Sequence, residues 1–449
     1  MALLSIDTFA RRVRSREISA TEMVEECLRQ IDANNARLNA YILVMAEWAR
    51  RQAAEADREL ASGVDRGPLH GVPVSVKDLF DVAGTVTTAA SRVREGLVAQ
   101  HDALAVSRLR RAGAVIVGKT NLHEFAFGTT NEDSAFGPAR NPLYDTRSPG
   151  GSSGGSAASV AAGMALATLG TDTGGSIRIP AAACGLVGLK PSYGELPGDG
   201  VVPLSRTLDH VGPLTATVTD AWHMLHALRD RAPVKPLAAT PVRALRLAVP
   251  RRYFCDLLDD DVRAAFEAAV DTLRRHGATI VDADIPHASL IATVYLHIVF
   301  GDAAAYHADT LDSMPERYTP NVRLRLEMAR YVTAEDYVRA LDGRRTLARE
   351  VDAALSGVDA LLIPTLAIVA PPLGAATVQV GSSREPVRNV MLRLTQLFNL
   401  TGHPAISLPC GTSTSGLPCG LQLAGFAGQT DNLLHVARGV EIALGAQAG

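Results

Sequence analysis

The chain has 449 residues, 47% of them hydrophobic, with 44 basic and 47 acidic side chains and a formal net charge of -3. That length and apolar content suit a folded protein with a sizeable core. Charges of both signs are spread along the chain without a basic stripe, so neither a nucleic-acid partner nor an anionic membrane surface is expected.

The N-terminal stretch MALLSIDTFARRVRSREIS loses its apolar character at Asp7, unlike a signal peptide, and no uninterrupted apolar run approaches the roughly 20 residues of a membrane span. A cytoplasmic protein is the expectation. Ser19 and Glu22 form a capping-box pattern, followed by Met23, Val24, Cys27, Leu28 and Ile31 at helical spacing. A second helix is expected over residues 45–60, ending in the turn SGVDRGP. The run GVPVSVKDLF then predicts a strand ending at Lys77, AVSRLRRAG a helix stopping at Gly113, and AVIVGKT a buried strand. Later segments repeat the alternation: LRLAVP, ATIVDADIP, VDALLIPT and PAISLPCG are strand-like, and DDDVRAAFEAAVDTLRRHG is a helix whose N-terminus is favoured by Asp259, Asp260 and Asp261.

This is an α/β pattern. The Pro- and Ala-rich residues 232–242 are a candidate surface connection, but strand-like runs near both ends favour a single large domain over residues 1–449. Cys27, Cys184, Cys255, Cys410 and Cys419 are scattered and never spaced CxxC, so disulfides and structural zinc are not expected and small buried apolar roles are. His223 and His226 beside Trp222 lack a third metal ligand. No metal or organic cofactor is called for.

Residues 150–156, GGSSGGS, have the composition of a flexible linker. The continuation AASVAAGMALATLG is small, apolar and helix-prone instead, so the glycines open a helix that must pack closely. A P-loop is excluded because no lysine lies between Lys119 and Lys190. A nucleophile elbow, GxSxG, lacks the preceding strand, since NPLYDTRSP carries prolines and turn residues. A second Gly-Gly-Ser follows at residues 174–176, after Thr171 and Asp172 and before Arg178. A serine nucleophile needs a base, and with no histidine near either motif Lys77 and Lys190 are the candidates; either serves only if held neutral by burial or nearby positive charge.

These residues resemble the amidase signature hydrolases. The blocks GVPVSVKDLFDVAG, GKTNLHEFAFGTTNEDSAFGPARNP, SPGGSSGGSAASVAAGMALATLGTDTGGSIRIPAAACGLVGLKPSYG and LDHVGPL stand in that family's order, and the likeness runs on to NLTGHPAISLPCGTSTSGLPCGLQLAG near the C-terminus. Lys77 precedes Ser152 by 75 residues and Ser152 precedes Ser176 by 24, as in the family. The resemblance implies a mixed, mostly parallel twisted sheet flanked by helices, with a catalytic core over about residues 65–220. It implies a Ser-cisSer-Lys triad: Ser176 as nucleophile, Ser152 as bridge after a cis peptide bond, and neutral Lys77 as base. The N–H groups of Thr173, Gly174, Gly175 and Ser176 would form the oxyanion hole, and the Ala126 carbonyl would line the substrate site. Ser153, Ser156, Asp172 and Arg178 take structural roles in this reading, the His123–Glu124 block shapes a loop, and Lys190 is expected near the surface.

Two departures bear on the substrate. Ile179 stands where family members acting on malonamide-like acids carry arginine, and residues 387–398, VRNVMLRLTQLF, lack the acid that helps the glutamine-using amidotransferase members handle glutamine. The expectation is a broad-specificity amidase for neutral, fairly apolar amides such as anilides, with carbamate (urethane) or ester cleavage as additional activity. Phe125, Phe127, Leu392, Leu397 and Phe398 are the candidate apolar pocket. The chain would act on a small molecule as a monomer or homodimer; the competing reading is a glutamine-dependent amidotransferase component that needs a partner and transfer RNA.

Overall fold

The structure is a computed structural model and describes residues 3–230 and 236–445. Its strands in chain order are β1 (Tyr41–Val44), β2 (Pro73–Lys77), β3 (Val115–Thr120), β4 (Ala167–Asp172), β5 (Val187–Lys190), β6 (His210–Thr215), β7 (Arg246–Val249), β8 (Thr279–Asp282), β9 (Ala360–Pro364), β10 (Thr377–Val380), β11 (Ser383–Pro386), β12 (Ala405–Thr412) and β13 (Pro418–Ala424). Eleven of them form one sheet in the order β1-β3-β2-β4-β6-β5-β12-β13-β9-β7-β8, while β10 and β11 make a separate hairpin. Strands from both halves of the chain therefore share one core.

The sheet is mixed and helix-flanked, as expected. Parallel pairing holds in two blocks, β3-β2-β4 and β9-β7-β8, where helices connect the strands. Between the blocks every pairing is antiparallel. Two of these pairings, β5 with β6 and β12 with β13, join consecutive strands with no helix between them. Strands β2, β3 and β4 are buried along their whole length, the mark of parallel strands covered on both faces.

The helix start expected at Ser19 is present: α2 spans Ala20–Leu38 with a complete Ser19–Glu22 capping box, and it is preceded by a helix the sequence reading did not predict, α1 (Ile6–Arg14). The second predicted helix is α3, Ala46–Ala61, and the one before Gly113 is α4, Leu104–Arg111. Helix α5 (Gly154–Ala161) packs on β2, β3, β4 and β6, and α6 (Arg178–Cys184) on β5, β12 and β13. Helix α7 (Val218–Leu228) carries His223 and His226; the His226 ring lies edge-on to Trp222 at 4.1 Å. The acidic run opens the helix Asp260–Arg275, with the Asp259 carboxylate accepting from the Asp261 N–H.

Residues 232–235 of the candidate connection lie outside the described residues. The remainder is no loose spacer: the Thr240 N–H donates to the His435 carbonyl at 2.9 Å, tying it to the last helix, Thr430–Ala443. One stretch, Ala288–Ser313, is long and apolar enough to cross a bilayer by length and composition. Here it packs against the helices Pro320–Ala329 and Ala334–Leu355, with Ile298, Val299 and Ala303 fully buried. All five cysteines are unpaired, four of them buried and Cys410 partly exposed.

Candidate active site

Parallel β2 and β4 pair in register at Val76 and Leu169, so their C-terminal ends bring Lys77 and Thr171 to one edge of the sheet. Outside the carboxyl ends of parallel strands is where open α/β sheets place ligands. The Lys77 side chain is fully buried and its Nζ donates to Ser152 Oγ at 2.7 Å and Thr171 Oγ1 at 2.8 Å. It has no carboxylate in contact among the described residues. Burial lowers the amine from its ordinary 10.5 to about 7, against the opposing charges of Asp209 and Asp172. A lysine near 7 is divided between a donor and a base at neutral pH.

Residues 148–160 are buried throughout, which excludes the linker reading. The Gly151–Ser152 peptide bond is cis. A Cβ on Gly155 would overlap the Asn121 carbonyl oxygen and stand 2.5 Å from that of Ala40, so only glycine lets the loop enter α5 at this depth. Ser153 and Ser156 anchor the segment, through the Thr171 carbonyl at 3.3 Å and Thr120 Oγ1 at 2.7 Å. The Ser153 N–H also donates to the Ser176 carbonyl at 3.3 Å, joining the two serine loops. No hydrogen bond links Ser152 to the Ser176 hydroxyl among the described residues.

The second loop runs from the end of β4 to α6. Gly175 has φ of +138°, and a Cβ there would overlap Thr395 Oγ1. The N–H groups of Thr173, Gly174, Gly175 and Ser176 make no hydrogen bond among the described residues. Those of Ile177 and Arg178 donate to Asp172 Oδ2 at 3.1 and 3.4 Å. Four successive backbone donors in a buried turn are thus left without a protein acceptor among the described residues.

Asp172 and Arg178 brace this turn from beneath. Both are fully buried and their side chains are joined by two hydrogen bonds, at 3.0 and 2.8 Å. Burial alone would raise the Asp172 carboxyl; Arg178 overrides it and holds the group far below the usual carboxylate range. Arg178 further donates to the Thr395 carbonyl, Gln422 and Asn399, and Asn399 returns to Asp172 at 2.8 Å. Thr173 Oγ1 donates to Asp209 at 2.6 Å, and burial pushes that carboxyl up to about 6.

Ala126 sits in a short turn next to Phe125, both in the left-handed region at φ of +59° and +49°. Two such non-glycine residues in succession are a local strain, held by the Phe125 ring edge-on to His307 at 4.4 Å. His123 is buried against Asp133 at 3.1 Å and Glu124 accepts from the Thr319 N–H at 2.8 Å, so this block braces a loop.

Two expectations are corrected. Lys190 is fully buried and far from the surface: its Nζ donates to the Pro191 and His403 carbonyls at 3.1 and 2.7 Å, contacts no serine, and so drops out as a candidate base. Phe125, Phe127, Leu397 and Phe398 are core residues, at most 2% exposed. Only Leu392 of the expected apolar set lines a cavity beside the site. That cavity, about 360 Å³, is bordered by Tyr253, Tyr295, Glu385, Arg388, Leu392 and Arg393. It adjoins the second loop through Tyr295, whose hydroxyl occupies the space a Gly174 Cβ would need. A further cavity of about 500 Å³ reaches Thr171 and Asp209 from the side of Tyr193. Sequence reasoning assigns no site role to Thr171, Asp209, Tyr295, Thr395 or Asn399, although Thr171, Asp209 and Asn399 lie inside the motifs TDTGGS, LDHVGPL and NLTGHP.

The fold agrees with known proteins. The profile of the family described as Amidase matches residues 22–434, and the chain belongs to that family. It is 42% identical to an amidase of Pseudomonas putida over 92% of this chain and 90% of that protein. It is 41% identical to the A subunit of the glutamyl-tRNA(Gln) amidotransferase of Anaeromyxobacter dehalogenans (strain 2CP-C), over 96% and 94%. Among solved structures, a crystal structure of an amidase superposes with a TM-score of 0.93 at 38% identity, covering 98% of this chain and 99% of that one. The protein is thus an amidase-family hydrolase acting on C–N bonds.

Proposed function

We propose that this protein is a free-standing serine amidase that works through an acyl-enzyme. The observation that carries the reading is Lys77, buried with Nζ 2.7 Å from Ser152 Oγ and lowered to about 7, at the foot of a loop with four free N–H groups. Neutral Lys77 takes the Ser152 proton as Ser152 takes that of Ser176, and Ser176 Oγ attacks the substrate carbonyl carbon. The developing oxyanion is held by the N–H groups of Thr173, Gly174, Gly175 and Ser176. The C–N bond breaks as the proton returns through Ser152 to the leaving amine, and water then hydrolyses the acyl-serine by the same relay. The Ala126 carbonyl borders the substrate. Carbamates and esters pass through the same steps, a carbamate more slowly because its carbonyl is less electrophilic.

A second reading, an amidotransferase component that needs a partner and transfer RNA, is favoured by the 41% identity to such a protein. Against it stands the absence of any acid in residues 387–398. The deciding experiment gives purified protein a 4-nitroanilide and the matching N-(4-nitrophenyl) carbamate. Release of 4-nitroaniline by the parent and not by Ser176→Ala is expected, with the ratio of rates ranking amide and carbamate. Turnover retained by Ser176→Ala, or parental activity confined to glutamine with a partner present, overturns the proposal.

A further inference from the structure

The cavity beside the nucleophile loop has an unmatched cation. Arg388 lies on the short helix Val387–Leu392, and its Nε is sealed from solvent without a hydrogen-bond partner. No ion pair, hydrogen bond or ring contact engages its guanidinium among the described residues. The neighbouring arginines have partners of their own. Arg393 lies 3.8 Å over the Tyr253 ring and donates to the Tyr253 carbonyl at 2.9 Å. Arg325 donates to the Phe127 carbonyl at 2.7 Å and faces Asp133 at 3.8 Å. Glu385 borders the same cavity and makes no ion pair with Arg388 among the described residues. Two arginines against one carboxylate leave the cavity net positive.

With Nε sealed and no ion pair made among the described residues, the guanidinium keeps its binding capacity for a counter-charge. Its planar fork matches a carboxylate with two parallel hydrogen bonds. Tyr295 both borders this cavity and touches the loop at Gly174, so the cavity and the loop are neighbours. We propose that Arg388 is a specificity residue that pairs with a carboxylate on the substrate, so that the preferred substrates are amides carrying a free acid a few atoms from the scissile carbonyl. This rests on Ser176 being the nucleophile, and it replaces the expectation of neutral substrates.

The test has two arms. In the first, kcat/KM is measured for the mono-4-nitroanilides of succinate and glutarate and for their methyl esters, with the parent, Arg388→Gln and Arg388→Lys. The parent is expected to favour the acids, and Arg388→Gln to lower the acid-to-ester ratio by about 10- to 100-fold, the range of a lost charge-assisted pair. Arg388→Lys should recover part of the ratio. The second arm needs no turnover: calorimetric binding of the acid anilides and their esters to Ser176→Ala, with and without Arg388→Gln. Tighter binding of the acids that Arg388→Gln abolishes supports the proposal even if no anilide is cleaved, in which case only the amidase reading fails. Equal binding of acid and ester, or a ratio untouched by Arg388→Gln, overturns it.

Discussion

The pH dependence of acylation should follow Lys77. With the amine near 7, the neutral fraction is roughly a tenth at pH 6, half at pH 7 and nine-tenths at pH 8. On an uncharged 4-nitroanilide, kcat/KM should therefore climb about tenfold from pH 6 to 8 and level off above. Asp209 favours the charged amine, so Asp209→Asn, which keeps an acceptor for Thr173, should shift the midpoint to lower pH. The same displacement acts on stability. The folded amine binds its proton less tightly than the unfolded one, so burial costs stability below about pH 7, and the cost fades as pH rises toward 10.5. The gap corresponds to about 5 kcal/mol at most, reduced because Ser152 and Thr171 lose a partner when lysine is removed. Lys77→Met should accordingly melt above the parent at pH 7, with the difference shrinking toward pH 10. Steady-state rates and melting curves at matched pH values check both halves. A flat rate profile from pH 6 to 9, a midpoint near 10, or a Lys77→Met variant as active as the parent would refute the role given to this lysine.

Other substitutions follow from the same geometry. Ser176→Ala should fold as the parent does by circular dichroism and lose at least about 10³-fold in kcat/KM, since removing a nucleophile leaves only binding and oxyanion stabilisation. Gly155→Ala drives a methyl group into the Asn121 carbonyl and should lower stability by about 2–4 kcal/mol in urea melts. Arg178→Met leaves the buried Asp172 carboxylate unpaired and should cost about 3–5 kcal/mol, read by thermal melting, with activity lost in whatever fraction stays folded.

Much of the site is legible in the sequence because its residues lie in short glycine-rich motifs whose spacing matches a known family. Lys77, Ser152 and Ser176 need only the order of those motifs, and the structure brings the first two into hydrogen-bond contact. Ser19 and Glu22 announce α2 because capping is local. Lys190 defeats sequence reasoning for the opposite reason: one carbonyl that satisfies it belongs to His403, 213 residues away, and nothing near Lys190 reveals it. The aromatic residues 125, 127 and 398 are equally ambiguous, since apolar side chains suit a core as well as a pocket until packing decides. The antiparallel middle of the sheet is out of reach too, because the pairing of β5 with β12 joins segments about two hundred residues apart.

The bracing beneath the Thr173–Ser176 loop bears on how the protein matures. Lys77, Ser152 and Ser176 all lie in the first 176 residues, yet Arg178 hangs that loop on Thr395, Asn399 and Gln422. A chain that ends before residue 395 carries those three residues but none of these three partners of Arg178. Such a fragment is expected to lack hydrolytic activity, which assay of a chain cut before residue 395 would check.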